Sequence, residues 1–461
     1  MTRTVITLDS QTRAAFAALY SLSWPVVMSR LGVVLMSLMD TIVVGRFSSA
    51  ELGFLMLAQA LFWVPAVTSM GLLMGVQVKT SHFLGSGDLH RIGAVFQRAM
   101  IQATVLGLVF MAVLLAAGLA FLHVIVTADM AQGARVPIMI FAVSLPVFLI
   151  SIVCTQFLEA LGRTRDVLIA TLAANTLNVV LLLVLVPGGV TLFGVPISGA
   201  VGAAIATFIA RTAQGLGMWL YVVSLRQARP YGLLDKQPAD HAGAVEQRHV
   251  GYATGAAYFI EVGAFAGMTL FAGHIGATAV ASWAIILNFA SLVFMVPLGL
   301  SVGCSVLVGR AFGAGDRDSL ALTGRVSFIS AAGFMIVVVI GVLLCADLIT
   351  DFYSRDAVLM PIVRSGLLLS CLFFIPDGLQ VVAAQALRAR KDILAPTVIH
   401  YVSYGAIMLP LGFVFSVMMG MGVAGLIWAV VVASAVSGTF QTARFLWLDK
   451  KTLIRSAKHA G

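Results

Sequence analysis

The sequence predicts an all-α polytopic membrane protein with twelve transmembrane helices in two six-helix lobes. Three observations carry that prediction. Of 461 residues, 60% are hydrophobic and only 10% are charged. The chain parses into twelve long apolar segments, and its second half repeats motifs of the first. A soluble globular chain carries about 25% charged residues, so lipid is the solvent for most of this one. A helix needs about 20 mostly apolar residues to cross the hydrocarbon. Twelve of them leave short loops and no large soluble domain.

The apolar segments run over 14–44, 52–80, 95–125, 135–161, 166–188, 198–225, 250–273, 277–309, 321–348, 358–386, 393–417 and 422–447. The first dozen residues are polar, and the first apolar run is too long for a signal-peptide core, so it is expected to stay as helix 1. Gly, Pro and charge separate the segments, as in Gly85-Ser86-Gly87-Asp88, Pro187-Gly188-Gly189 and Gly313-Ala314-Gly315-Asp316. The longest polar stretch, 226–249, falls at mid-chain. It reads as a cytoplasmic linker between an N-terminal lobe, 1–225, and a C-terminal lobe, 250–461, that ends in a short cytoplasmic tail.

Orientation follows from the 28 Lys and Arg residues. Arg46, Arg135, Arg355 and Arg364 fall on odd-to-even connections, and Arg30 and Arg211 fall inside helices. All the others sit on even-to-odd connections, at the termini or at adjoining helix ends. Basic residues mark cytoplasmic loops, so both termini are expected in the cytoplasm and the chain in a bacterial inner membrane. The net charge of +9 is then an orientation signal rather than a nucleic-acid face, and no nucleic-acid partner is expected. Cys154, Cys304, Cys345 and Cys371 lie in apolar runs without metal-ligand spacing and read as free thiols packed as small hydrophobes.

The halves repeat. GLLMGVQVKTSHFLGSGD at 71–88 aligns without gaps to GLSVGCSVLVGRAFGAGD at 299–316, an offset of 228. Gly71/Gly299, Gly75/Gly303, Gly85/Gly313, Gly87/Gly315 and Asp88/Asp316 are identical. ALGRTRDVL at 160–168 aligns to ALRARKDIL at 386–394 at an offset of 226. Six helices per repeat is an even number, so the lobes share one orientation and are expected about a pseudo-twofold axis along the membrane normal.

These motifs resemble the multidrug and toxic compound extrusion (MATE) family over essentially the whole chain. MDTIVVG at 39–45 resembles the family's Asp-Thr-x-x-x-Gly signature ending helix 1. The Gly-Ser-Gly-Asp and Gly-Ala-Gly-Asp turns resemble those after helices 2 and 8, and Pro25 matches a proline often found in helix 1. The resemblance implies export of amphipathic, often cationic drugs in exchange for sodium or protons, and with it antibiotic resistance. Glu261 and Asp377 match the helix 7 and helix 10 acids typical of the NorM-like branch. Asp40 matches the helix 1 aspartate, and Asn175 and Asn178 match helix 5 asparagines. NorM-like sequences often carry a tyrosine one turn before the helix 10 acid, where this chain has Phe373. That exchange removes one oxygen from a sodium site.

The residues support this chemistry on their own terms. A carboxylate at the centre of a membrane helix costs ~2.5–3.5 kcal/mol on the insertion scale, and it persists where it lines water, binds a cation or takes a proton. Of 19 acidic residues, Glu261 and Asp377 read as mid-helix. Tyr258 and Phe265 share the face of Glu261, which suits an organic cation through charge and cation–π attraction. The alternative is a protonated acid hydrogen-bonded to a neighbouring helix. Asp377 follows Pro376, which removes a backbone donor, and Gly378 loosens the same turn, so a sodium or proton site at a broken turn is expected. The alternative is a kink with a solvated aspartate. If the ion is sodium, Asp377 and Glu261 are its expected ligands. Asp40 joins the coupling-ion candidates, pairs with Arg46 or caps the helix 1–2 turn. Asn175, Asn178 and Thr171 form one polar face, functional or interhelical glue. Phe373 and Asn288 complete the substrate-binding candidates. Arg30 pairs with an intramembrane carboxylate, snorkels or lines a wet cavity.

None of the three acids has an acidic repeat mate: Glu261 aligns with Val33, Asp40 with Met268 and Asp377 with Ser151. A lipid-linked saccharide flippase of related architecture is the rival reading. It would need a strongly cationic cavity, and only Arg30 and Arg211 read as deep bases. No HExxH, GxSxG or P-loop motif supports an enzyme. A passive channel fits mid-membrane carboxylates beside proline and glycine less well than alternating access does. Membrane lipids and small amphipathic drugs are the expected partners of a monomer that needs no cofactor beyond its coupling ion.

Overall fold

A computed structural model describes residues 2–120, 128–188, 190–192, 195–235, 240–353 and 356–460; Arg355 and Gly189 lie outside them. Among the described residues twelve long helices follow in chain order: α1 (Thr2–Phe47), α2 (Ser49–Ser86), α3 (Ile92–Ala120), α4 (Ala128–Leu161), α5 (Thr164–Leu185), α6 (Gly199–Ser224), α7 (His241–Ile275), α8 (Ala277–Ala314), α9 (Arg317–Tyr353), α10 (Leu359–Ala389), α11 (Leu394–Met418) and α12 (Val423–Ala460). Among the described residues eleven are long and apolar enough to cross a membrane. The exception is α6, whose Arg211 and Gln214 lower its hydropathy; its length of 26 residues matches the others. A short antiparallel pair, Val190–Leu192 (β1) with Val195–Ile197 (β2), links α5 to α6.

The helices carry the irregularities that their sequences demand. α2 is interrupted at Leu73 and Met74. α9 leaves helical geometry at Cys345 (φ −118°, ψ 16°). Cys345 is exposed there, unlike the expected packing, while the other three cysteines are buried. α11 contains two π-helical stretches, Tyr401–Met408 and Val414–Met418. The mid-chain polar stretch is only partly a loop, because α7 begins at His241. Asp240 caps that start by accepting a bond from the Gly243 amide at 2.9 Å.

The chain forms two compact units, Met28–Gly255 and Met1–Val27 with Ala256–Gly461. Both boundaries fall inside helices, after Val27 on α1 and after Gly255 on α7. They are repeat mates at the offset of 228. Glycine is what lets each unit accept a helix segment from the other half of the sequence. A Cβ at Gly71 would stand 2.7 Å from the Gly255 backbone, and one at Gly299 would stand 2.9 Å from the Val27 nitrogen. The first unit, called the N-lobe below, packs around Phe62, Phe141, Leu149 and Phe157. The second, the C-lobe, packs around Trp283, Phe374, Tyr404 and Met408.

Candidate functional site

Each lobe buries its own set of charged side chains. In the C-lobe, Glu261 on α7 has a side chain 18% exposed, and its Oε2 lies 3.6 Å from Nε2 of His400 on α11. His400 is the last residue before the first π-helical stretch, a distortion frequent at functional sites. Tyr404 follows, with its ring 5.5 Å from that of His400 and its hydroxyl donating to Asp377 Oδ1 at 3.4 Å.

The far side of His400 sets its tautomer. Nδ1 lies 3.0 Å from the Pro396 carbonyl oxygen and 3.1 Å from the Gln441 amide. A carbonyl only accepts, so Nδ1 carries the hydrogen. The Gln441 amide has interchangeable O and N positions and adapts by a flip. Nε2 then faces the Glu261 carboxylate across 3.6 Å.

Asp377 lies on α10, which runs helically through Pro376 and Gly378. The expected broken turn is thus one absent N–H rather than a break. The Pro376 carbonyl is packed against α12, where a Cβ at Gly438 would come within 2.6 Å of its oxygen. Gln380 and Ser434 stand beside the Asp377 carboxylate. The charge of Glu261 acts on Asp377, Tyr404 and Arg388, so these four form one electrostatic cluster. Among the described residues no Arg or Lys salt bridge reaches either carboxylate. No group of three His, Cys, Asp or Glu is close enough there to hold a metal ion.

The expected substrate residues are dispersed. Tyr258 accepts a bond from Gln385 Nε2 at 3.0 Å and faces the Arg388 guanidinium at 6.0 Å. Phe265 packs on Tyr404, with ring centroids 6.3 Å apart. Phe373 is buried against Phe374 at 4.9 Å. Asn288 is exposed and accepts the Tyr353 hydroxyl at 2.9 Å.

The N-lobe is arranged differently. Asp40 is buried and accepts from Gln59 Nε2 at 3.2 Å, Asn178 Nδ2 at 3.3 Å and Thr207 Oγ1 at 3.0 Å. Arg211 supplies the nearby positive charge, and its guanidinium is packed on the rings of Phe62, Trp63 and Phe148 at 4.7–5.3 Å. Each of these side chains donates to Asp40, and Arg46 is not among its partners in the described residues. Asn175 is not part of this cluster: it donates to the Gly32 carbonyl at 2.8 Å. Arg30 pairs with Glu159 at 3.1 Å, which settles the alternatives for that arginine in favour of an ion pair.

Several of these residues lay outside the sequence expectations. His400 and Tyr404 sit in an apolar segment that holds no acid or arginine, although any ionisable side chain in a span is a site candidate. Glu159 stands at the end of its apolar segment in the sequence, yet it is only 1% exposed. Arg388 lies just past the apolar segment 358–386 in the sequence, yet α10 extends through it. It is 1% exposed and corrects the expectation that Arg30 and Arg211 are the only deep bases. The shell residues Gln59, Thr207, Gln380 and Ser434 carry no sequence signal of their own.

The MatE family model matches residues 25–184 and 253–414. The chain is 42% identical to the "Probable multidrug resistance protein NorM" of Caulobacter vibrioides over 94% of its own length and 91% of that protein. It is 30% identical to the protein of the same description from Aromatoleum aromaticum, over 86% and 85% of the two chains. Its fold is similar to the outward-facing conformation of a multidrug resistance MATE family transporter of the MOP superfamily. The TM-score is 0.86 and the identity 18%, over 95% of this chain and 96% of that one. A MOP superfamily transporter from Pyrococcus furiosus matches with a TM-score of 0.85 and 16% identity, over 95% and 96% of the chains.

Proposed function

We propose, for a chain that belongs to the MatE family and is a multidrug efflux transporter, that a cation entering the C-lobe at Glu261 and Asp377 drives export of amphipathic cationic drugs. The chain is a multi-pass membrane protein and a transporter rather than an enzyme. The flippase reading is not favoured: Arg30 is committed to Glu159, and Arg211 is sealed among aromatic rings. Neither is free to hold a pyrophosphate.

One observation carries the reading. Two partly buried carboxylates share an electrostatic cluster without an arginine or lysine salt bridge among the described residues. Such groups are expensive in a membrane protein and mark ion pathways. Exchange follows from linkage: if ion and drug each favour a different access state, binding one weakens the other reciprocally. The His400 contact supports a proton at Glu261. The oxygens of Asp377, Tyr404, Ser434 and Gln380 support sodium as the second reading, and Tyr404 supplies the phenol that Phe373 lacks. In this reading Glu261 takes the drug cation in exchange for the coupling ion, and Phe265 is the aromatic surface for the drug, because Tyr258 already meets a protein cation. Asp40 and Asn178 serve the N-lobe scaffold. The basic-residue bias supports an orientation in the bacterial inner membrane with both termini in the cytoplasm, where the chain acts as a monomer solvated by its lipids.

Proteoliposomes with imposed gradients test the proposal. A proton gradient should drive uphill ethidium flux, and Glu261→Gln and Asp377→Asn should each abolish it. Flux that follows sodium alone selects the second reading. Undiminished flux in both variants sinks the C-lobe assignment.

A further inference from the structure

We propose that Arg388 is a tethered counter-charge that competes with the transported cation for Glu261 and so promotes its release; this rests on Glu261 being the drug-cation site. Arg388 lies on α10 and is 1% exposed. Its Nε and one Nη have no hydrogen-bond partner, and it makes no salt bridge among the described residues. Buried arginines are ordinarily bound through their fork of donors. Arg388 instead lies with its guanidinium 6.0 Å from the ring of Tyr258, one helical turn before Glu261 on α7. Glu261 is the carboxylate whose charge reaches it.

The repeat shows what is unusual about this placement. At the offset of 228 Arg30 aligns with Tyr258, and at 226 Glu159 aligns with Gln385. The N-lobe pair is a salt bridge at 3.1 Å, and the same pair in the C-lobe is a neutral hydrogen bond at 3.0 Å. The arginine has not vanished from the C-lobe. It lies one turn beyond Gln385, where the N-lobe has Gly162, and it is not locked to a carboxylate. A guanidinium cannot deprotonate, so its charge is present in every state of the transport cycle. When a drug cation sits on Glu261, Arg388 repels it. When the drug leaves, Arg388 steadies the bare carboxylate. A scaffold arginine would lower stability on removal without changing cation affinity.

The test uses purified full-length protein in detergent and in proteoliposomes, with ethidium as the cationic probe and Nile red as the neutral one. Arg388→Met should bind ethidium about 5-fold or more tightly, within the usual range of site–site coupling. It should turn over more slowly, so that KM and kcat fall together, with Nile red binding unchanged. Arg388→Lys should restore the wild-type values. Arg388→Gln, a polar replacement, is the second variant if the methionine form does not fold. Unchanged or weaker ethidium affinity in a folded, monodisperse Arg388→Gln overturns the proposal. The effect should vanish in a Glu261→Gln background. If it persists there, Arg388 acts elsewhere and the proposal falls while the C-lobe site stands. If Glu261→Gln alone leaves ethidium binding untouched, the site reading itself has failed.

Discussion

The two lobes share a scaffold and neutralise their buried carboxylates in opposite ways. In the N-lobe Glu159 has Arg30 at 3.1 Å, and Asp40 has Arg211 nearby with three donating side chains around it. In the C-lobe Glu261 faces a histidine and Asp377 a phenol, and the one arginine in electrostatic reach, Arg388, makes no salt bridge among the described residues. The repeat gives both lobes the same frame: the glycine seats at Gly71 and Gly299 are mates, as are the lobe boundaries. The two lobes therefore share geometry and differ in charge placement, and on the proposed reading that difference divides the labour. A carboxylate with a permanent cation has no vacancy for a travelling one, whereas a carboxylate with titratable or neutral partners does.

The largest expected effect breaks this comparison outright. Asp377→Asn should abolish gradient-driven efflux yet leave drug binding measurable, because the linkage is lost and the drug contacts are kept. Asp40→Asn should keep most of the transport and lower stability by about 1.5–3 kcal/mol, the range for hydrogen bonds to a charged group. Flux assays paired with thermal unfolding would read both. Loss of transport in Asp40→Asn at unchanged stability would place coupling in the N-lobe and reverse the assignment.

Next in size is the repeat-mate pair. Arg30→Met leaves Glu159 buried without its cation and should cost about 3–5 kcal/mol. Tyr258→Phe removes the equivalent neutral bond and should cost about 0.6 kcal/mol, the mean for interhelical bonds in membrane proteins. Installing the C-lobe solution in the N-lobe, as Arg30→Tyr with Glu159→Gln, should recover most of the first loss. Denaturation of the purified variants in one detergent measures all three. A double variant as unstable as Arg30→Met would show that the lobes are not interchangeable at this position.

How far the sequence carried this picture depends on the kind of signal. Helix positions, the repeat and the deep acids Glu261 and Asp377 were legible because hydropathy and rare charge are local properties. The partners were not. His400 and Tyr404 meet α7 and α10, and Gln441 of α12 meets His400, through tertiary packing and a π-helical stretch, which apolar periodicity does not encode. Pro376 predicted a broken turn because its ring removes a donor, but packing against α12 at Gly438 keeps the helix continuous. The polar stretch at 226–249 read as a linker on composition alone, whereas the Asp240 cap starts a helix within it. Glu159 shows the converse: position at a helix end suggested solvent, and only the fold shows Arg30 arriving beside it.

The smallest effect separates two repeat mates at the polar ends of the helices. Asp316 caps α9, accepting from the Ser319 amide at 3.0 Å and from its hydroxyl at 2.6 Å. Its mate Asp88 precedes a short 3₁₀ turn, Leu89–Arg91, and makes no such cap. The Ser319 hydroxyl and amide hold the Asp316 carboxyl below its ordinary value of 3.8. A depressed carboxyl contributes stability above its unfolded value and loses it as pH falls through the lower folded one. The Asp316 contribution should therefore be complete at neutral pH and fade only below about 3.8. Asp316→Ala should cost about 0.5–2 kcal/mol at neutral pH, toward the lower end because the site is exposed. Asp88→Ala should cost less. Unfolding of both variants at neutral and strongly acidic pH reads the difference, which should narrow as the wild-type carboxyl protonates. Equal losses at neutral pH would mean that the duplicated Gly-x-Gly-Asp turn, rather than the cap, is what the aspartates serve.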